Sequence, residues 1–343
     1  MPIPEQRTSI IVEAPAKINL TFEIIGLLPD GYHEVFTLLH SVDLFDSLEI
    51  IASKASQNEI HLKSCRSSVS GYFPMDDNNL VVKAVRAFLE HEKMAGTTCE
   101  VEIGVEKNIP IEAGLAGGSA DAACALVAMN EYAGGLLSEK ELLSLGSRLG
   151  ADVPFAIKGG ICLGSGRGDR LEKFGTIPDL DLILVKPRKL FVSTPYLFKA
   201  FDRREKIRRV EEKNSAPKGR ISTTVLARTA LESEDLTGFI DSLSNDFEPV
   251  FFELYPEMRE LKELLIDLGC WKVVLTGSGP TMYGVAPNIN KANLIARDLV
   301  ADRMNNPDRA CYKHGPVDSW VVKSNRLGAV LKSSDNEKGD DQI

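Results

Sequence analysis

The chain has 343 residues, of which 43% are hydrophobic and 26% charged, and its 40 basic and 49 acidic side chains give a formal net charge of -9. These values are typical of a globular protein with more than one domain, and they exclude a disordered, collagen-like or coiled-coil chain. The acidic balance also argues against sequence-independent binding of nucleic acid, which needs a basic surface, but it permits a local basic pocket for a small phosphate ligand.

Cysteines and histidines show no spacing typical of a metal site. The six cysteines lie far apart without a CxxC pair, and the five histidines do not cluster. Free thiols in a reducing compartment are the simplest interpretation. No apolar stretch reaches the roughly 18 residues that a membrane span requires, and the first residues lack the apolar region of a signal peptide. We therefore expect a cytoplasmic protein with no membrane or nucleic-acid partner.

The first predicted element is a β-hairpin over residues 9–40. Residues 9–24 alternate as a half-buried strand does, with Lys17 and Asn19 on the polar face. Pro29, Asp30 and Gly31 are typical turn residues, and 32–40 is a second extended run.

Strands, a loop and a helix are predicted next. Further strand signals lie at 47–51 and 99–105, whereas the Ser- and Asp-rich segment 64–78 predicts an exposed loop. Apolar residues at helical spacing predict a helix over 79–94.

Two more helices are predicted in the first half of the chain. One begins near Ser119 and ends at the glycine pair 134–135. The other begins at Ser138, which forms a capping box with Glu141, and ends at Gly150.

The chain is predicted to form two domains. A glycine-rich segment over 159–169 precedes a strand signal at 181–186, so we place the boundary near residue 175. This gives an N-terminal domain over 1–175, a C-terminal domain over 176–330 and a disordered polar tail over 331–343. The segment 202–220 holds eight basic and four acidic side chains, which predicts a solvated helix or loop insertion.

The segment 108–123 predicts a phosphate-binding loop. Gly114, Gly117 and Gly118 directly precede an alanine-rich helix, and a helix N-terminus offers free amides to an anion that approaches the backbone closely. The segment is neither a Walker A loop nor a GxGxxG motif. The alternative is a simple glycine-rich turn with Ser119 as the N-cap. Asp121 would repel phosphate unless a magnesium ion lay beside it.

Three other segments carry polar groups that could serve a site. Lys17 and Asn19 share one strand face, Asp152 lies on a short loop before Pro154, and a glycine-rich loop spans 277–280. Each also has a plain structural interpretation: a solvent-facing strand, a cap for the following turn and an ordinary hairpin turn. The residues alone leave both interpretations open.

Taken together, the segments APAKINL at 14–20, IPIEAGLAGGSADAA at 109–123 and LTGSGPTMYGV at 275–285 resemble the three motifs of the GHMP small-molecule kinases. The resemblance implies a mixed α+β (α/β) fold of two domains with the active site in the cleft between them. It covers roughly residues 9–325, and the combination of motifs is highly specific.

Further matches point to one branch of these kinases. They are GYH at 31–33, LGADVPF at 149–155, VSTPYLF at 192–198 and NDFE at 245–248. The resemblance implies ATP-dependent phosphorylation of the 2-hydroxyl of 4-diphosphocytidyl-2-C-methyl-D-erythritol, a step of the non-mevalonate isoprenoid pathway. The expected ligands are this substrate, ATP and Mg²⁺, with no other partner. The expected oligomeric state is a monomer or a weak homodimer.

The resemblance also implies site residues. Lys17 and Asp152 match the catalytic pair, in which Asp152 orients or deprotonates the acceptor hydroxyl, and Ser119 matches a phosphate or magnesium contact. The implied ATP contacts are Asn79, Lys107, Pro110, Ala113, Gly114, Leu115, Ala116, Gly117, Gly118, Ser119 and Ala120. The implied substrate contacts are Asn19, Tyr32, His33, Thr194, Phe198, Gly277 and Ser278.

One departure and two alternatives remain. Many members of the family carry a serine and an asparagine where this chain has Ala120 and Asp121, so Ser119 is the one hydroxyl of the loop. Another GHMP kinase, such as a mevalonate or homoserine kinase, is disfavoured because its substrate lacks the base that Tyr32 and His33 would bind. A catalytically silent nucleotide-binding protein is disfavoured because both members of the catalytic pair are present.

Overall fold

The structure, a computed structural model, describes residues 6–175, 178–212 and 221–332, with the backbone alone for 207–212. Within these residues a mixed sheet is covered by helices, which confirms the α+β fold class. The strands are β1 (Thr8–Leu27), β2 (His33–Lys54), β3 (Glu59–Ser67), β4 (Cys99–Lys107), β5 (Ile161–Ser165), β6 (Arg170–Lys173), β7 (Asp181–Pro187), β8 (Ser244–Asn245), β9 (Lys272–Leu275), β10 (Met282–Ala286), β11 (Val317–Asn325) and β12 (Val330–Leu331). The helices are α1 (Leu80–Leu89), α2 (Gly117–Tyr132), α3 (Glu139–Leu149), α4 (Val153–Lys158), α5 (Thr194–Glu212), α6 (Thr223–Glu232), α7 (Leu236–Ser242), α8 (Glu248–Leu254), α9 (Pro256–Asp267) and α10 (Ile289–Asn305).

The predicted hairpin is confirmed and is longer than expected. Strands β1 and β2 pair antiparallel from Thr8 opposite Ala52 to Leu27 opposite His33, so β2 includes the separate strand signal at 47–51. The prediction of a half-buried strand is wrong, because Lys17, Asn19, Thr21 and Glu23 are buried as well. Helix α6 covers part of this second face, and its first residues donate hydrogen bonds to the Glu23 carboxylate.

One sheet runs through both halves of the chain. Strand β11 pairs with β7 along its length, and its last residues, Ser324 and Asn325, pair with β2. Strand β12 then returns to β1. Leu331, predicted to begin a disordered tail, instead belongs to this sheet, and the amide of the next residue, Lys332, donates to the Ile11 carbonyl at 2.9 Å. The rest of that predicted tail lies outside the described residues.

Two apolar cores lie on this sheet. The first contains α1, α2 and the strands β1, β2 and β4, and also Ala227 and Phe239 of α6 and α7. The second contains α8, α9, α10 and the strands that they cover. Helix α2 is buried nearly all round, since its alanines allow the close approach of its neighbours. A cut at residue 175 therefore does not separate the cores, because α6 and α7 pack with the N-terminal half.

Local helix signals were accurate to within a few residues. The capping box is confirmed, with the Ser138 amide donating to Glu141 at 2.9 Å. Helix α1 begins after its cap Asn79 and ends earlier than predicted. Helix α2 begins at Gly117, so the interpretation of Ser119 as the N-cap is wrong.

Two surface segments differ from the sequence predictions. Strand β3 was missed because it is an edge strand, exposed along much of its length, without the alternation that marks a buried face. The charged segment 202–220 continues helix α5 as far as Glu212, and 213–220 lies outside the described residues. Among the described helices, none has the length and apolar character needed to cross a membrane.

His40 is a buried histidine on β2 with a pH-dependent effect on stability. Its Nδ1 lies 3.1 Å from the Gly160 carbonyl, and Nε2 has no hydrogen-bond partner among the described residues. Burial lowers its pKa from 6.5 to about 4. Because the unfolded state binds the extra proton first, we expect the free energy of unfolding to fall by about 3 kcal/mol as pH drops from 6.5 through 4.

Urea unfolding across this pH range tests the expectation by comparing the wild type with His40→Gln. His61→Gln is the matched control, because His61 lies half-exposed on β3. In His40→Gln the free energy of unfolding should fall less steeply between pH 6.5 and 4 than it does in the wild type and in the control. Parallel pH profiles for all three proteins would rule out His40 as its source.

Candidate active site

A cleft of about 1700 Å³ brings the sequence motifs together. Residues from both halves of the chain line it, including both members of the predicted catalytic pair, Lys17 and Asp152. All the predicted substrate residues line it, as do most of the predicted ATP residues. Leu115 and Ala120 are the exceptions, since both side chains are buried in the first core. Any contact of these two residues with ATP would therefore come from the backbone, and their place among the ATP residues stays a prediction.

The glycine-rich loop presents free backbone amides to this cleft. Ala116 adopts a left-handed conformation, with φ 59° and ψ 29°, immediately before α2 begins. Such a conformation is strained for alanine and is typical of functional loops. The amides of Gly117, Gly118 and Ser119 have no hydrogen-bond partner among the described residues. A Cβ added at Gly118 would meet open space, so the helix N-terminus is accessible to an anion.

The third motif packs directly against the second. A Cβ at Gly114 would lie 2.5 Å from the Thr276 carbonyl oxygen, so only glycine permits this approach. The amide of Asn245 donates to the carbonyls of Leu275 and Gly277, both at 2.8 Å. Asn245 was not predicted as a site residue, although it lies in the NDFE segment that contributed to the resemblance. Its two hydrogen bonds hold the third motif in place. The segment 277–280 is therefore a wall of the cleft as well as a hairpin turn.

Lys17 and Asp152 face each other across the cleft at a separation of 3.8 Å from Nζ to Oδ2. The Lys17 ammonium is buried and donates to Asn19 Oδ1 at 2.7 Å, and Asn19 Nδ2 donates to Thr37 Oγ1 at 2.9 Å. Asp152 precedes α4 but makes no side-chain capping bond, so the interpretation as a simple cap is wrong. Thr37 gave no sequence signal, because only the pairing of β1 with β2 brings it here.

Lys107 and Asp121 form a buried ion-pair cluster with Asp46 beneath the glycine loop. Lys107 Nζ pairs with Asp46 and with Asp121 Oδ2, the latter at 2.8 Å. A Cβ at Gly117 would lie 3.1 Å from that ammonium. Burial opposes the charge of Lys107, but Asp121 and Asp46 raise its pKa above the ordinary value. The Lys107 ammonium, which was predicted to contact the nucleotide, is thus paired with two carboxylates. The Asp121 carboxylate is directed toward Lys107.

Asn79 is also engaged within the chain. Its Oδ1 caps α1 by accepting from the Val81 amide at 2.9 Å, and its Nδ2 donates to the Pro74 carbonyl at 2.6 Å. Asn79 lines the cleft beside Pro110. The residue therefore fixes the shape of this wall through its own hydrogen bonds.

The other end of the cleft is aromatic. His33 stacks on Phe198 with ring centroids 4.3 Å apart, and Phe198 meets Phe247 edge-on at 4.8 Å. The Tyr32 ring is held by the Arg167 guanidinium, 3.9 Å from its centroid. Aromatic faces with polar edges suit a planar nucleobase. Beside them, Thr194 Oγ1 and Ser278 Oγ lie 2.7 Å apart.

The donor groups of the cleft fit ATP and magnesium. The free amides of α2 match a polyphosphate. The Ser119 hydroxyl and the Asp152 carboxylate offer oxygen atoms in the same cleft, and Mg²⁺ in proteins commonly takes one or two side-chain oxygens together with phosphate oxygens and water. Asp121 also lines the cleft, but its side chain is buried and its Oδ2 accepts from Lys107 at 2.8 Å.

Comparisons with known proteins identify the family. Residues 79–160 match the GHMP kinases N terminal domain, and residues 227–306 match the GHMP kinases C terminal model. A Synechococcus sp. protein named 4-diphosphocytidyl-2-C-methyl-D-erythritol kinase is 37% identical and covers 93% of this chain and 95% of its own. The Gloeobacter violaceus protein of the same name is 34% identical over 96% of this chain and 98% of its own.

Solved structures agree with these relatives. A crystal structure of 4-(cytidine 5'-diphospho)-2C-methyl-D-erythritol kinase superposes with a TM-score of 0.67 at 27% identity, covering 93% of this chain and all of its own. The L. major mevalonate kinase shares the fold alone, with a TM-score of 0.69 at 15% identity over 96% of this chain and 99% of its own. The chain therefore belongs to the 4-diphosphocytidyl-2-C-methyl-D-erythritol kinases, a family of GHMP kinases.

Proposed function

We propose that this protein transfers the γ-phosphoryl group of ATP to the 2-hydroxyl of 4-diphosphocytidyl-2-C-methyl-D-erythritol, with Mg²⁺ bound beside Ser119. One observation carries the proposal. A single cleft holds free helix-terminal amides, a lysine–aspartate pair and an aromatic end that includes His33. These three parts match the phosphates of ATP, the reacting hydroxyl and the cytosine base.

Phosphoryl transfer depends mainly on positioning and on neutralising charge. Asp152 accepts a hydrogen bond from the acceptor hydroxyl and takes its proton as the oxygen attacks phosphorus. Lys17 pairs with Asp152 and stabilises negative charge on the phosphoryl oxygens. Asn19 fixes the position of the ammonium through its 2.7 Å hydrogen bond. The amides of Gly117, Gly118 and Ser119 bind the phosphates, and Mg²⁺ when bound would supply further charge neutralisation.

We further propose that the protein acts in the cytoplasm as a monomer or weak homodimer. The six cysteines are all unpaired thiols in the structure, which fits a reducing compartment. The catalytic pair, the glycine loop and the aromatic end all come from one chain, so the proposed reaction needs no group from a second copy.

A substrate-panel assay tests the reaction. Purified protein with Mg²⁺ and ATP should release ADP with 4-diphosphocytidyl-2-C-methyl-D-erythritol and not with mevalonate or homoserine. Phosphorus NMR of the product should show a new phosphomonoester and an intact diphosphate. ADP release with mevalonate or homoserine alone would refute the assignment.

A further inference from the structure

We propose that Asp202 is a positioning residue that holds a proton on Nε2 of His33 and thereby makes His33 Nδ1 an acceptor for the exocyclic amine of cytosine. This inference rests on the proposed function, because it states how the aromatic end of the cleft selects its base. It assigns a specific role to the first residue of the charged segment 202–220, which the sequence alone marked as a solvated surface.

Helix α5 controls His33 through two residues one turn apart. Phe198 stacks on the imidazole with an interplanar angle of 18°, which fixes the plane of the ring. Asp202 Oδ1 lies 2.8 Å from His33 Nε2, which fixes the rotation of the ring within that plane. The His33 side chain is about 10% exposed and lines the cleft. The direction of its edge is therefore set before a ligand arrives.

The Asp202 contact also selects the tautomer. An ionised carboxylate only accepts hydrogen bonds, so the bond between Asp202 and Nε2 must be donated by the ring. In the neutral imidazole the second nitrogen, Nδ1, then carries a lone pair. Among the described residues, Nδ1 of His33 makes no hydrogen bond. The site thus holds an unused acceptor at its aromatic end.

An acceptor at this position distinguishes the two pyrimidine bases. Cytosine carries an amino group where uracil carries a carbonyl oxygen. Nδ1 would accept a hydrogen bond from the amine, whereas it would place its lone pair against those of the carbonyl. Sites built to hydrogen-bond one group reject analogues that lack it far more strongly than apolar pockets do. Cytidine selectivity would then depend on Asp202 although Asp202 itself does not touch the base.

The test measures binding of CDP and UDP by calorimetry at mildly alkaline pH, with the ATP site saturated by AMP-PNP. Wild type should prefer CDP by about tenfold or more. In Asp202→Asn the side-chain amide nitrogen can donate to Nε2 and move the ring proton to Nδ1, so the CDP-to-UDP affinity ratio should fall by about tenfold. Nitrogen NMR of His33 should show the change of tautomer.

Asp267→Asn, an isosteric change at an exposed aspartate of α9, is the matched control and should keep the wild-type ratio. An unchanged ratio in Asp202→Asn, with the wild-type preference for CDP intact, would overturn the role of Asp202 and leave the proposed function standing. Equal weakening of both nucleotides would also overturn it, because a purely structural role predicts that result. Wild type without a preference for CDP would instead contradict the proposed substrate.

Discussion

We expect Asp152→Asn to lower kcat by roughly 10²–10⁴-fold, the usual contribution of a positioned general base. The asparagine amide keeps the size of the carboxylate but cannot take the hydroxyl proton. Asp152 makes no capping bond to α4, so the fold should not depend on its charge. Because the free amides of α2 are the proposed contacts of the phosphates, ATP affinity should stay close to that of the wild type. Steady-state kinetics and calorimetry with AMP-PNP measure the two effects separately.

The separation of these effects makes the prediction specific. Asp267→Asn again serves as the control, and urea unfolding should show equal stability for wild type and both variants. Wild-type turnover in Asp152→Asn would refute the proposed role. A loss of AMP-PNP binding in parallel with kcat would instead indicate that Asp152 acts mainly through a bound metal ion or through the shape of the loop.

Local chemistry made several parts of the fold predictable. Ser138 and Glu141 cap each other within one turn, so their sequence spacing alone determines the contact. The period of a strand places Lys17 and Asn19 on one side, and their hydrogen bond follows from that period. The glycines of 114–118 indicated a close backbone approach, and at Gly114 the neighbour is the distant Thr276.

Tertiary contacts account for what sequence reasoning missed. Asp46 lies 61 residues before its partner Lys107, and no local pattern links them. The family resemblance implied a nucleotide contact for Lys107, because the sequence does not reveal that two carboxylates already surround the ammonium. Asp202 similarly joins His33 across 169 residues. The boundary near residue 175 could not show that α6 and α7 return to the N-terminal core.

Lys107→Met should destabilise the protein by about 3–5 kcal/mol, the usual result of removing one partner from a buried ion pair. Asp46 and Asp121 would remain buried near each other without the ammonium between them. Burial already raises the pKa of Asp121, and the loss of Lys107 would raise that pKa further. The folded state would then bind more protons than the unfolded chain. The difference in free energy of unfolding between the wild type and Lys107→Met should therefore become smaller as the pH falls. Urea unfolding at neutral and mildly acidic pH measures both effects.

Lys332→Met is the matched control, because it removes an exposed ammonium that pairs with Glu13 at 2.8 Å and should cost less than about 1 kcal/mol. A second comparison separates the cluster from a ligand contact. If Lys107 supports the glycine loop from below, Lys107→Met combined with Asp121→Ala should recover part of the lost stability, since one unpaired charge is removed with it. If Lys107 instead binds phosphate directly, Lys107→Met would weaken AMP-PNP binding but would have about the same free energy of unfolding as Lys332→Met. That outcome would contradict the structural role of Lys107.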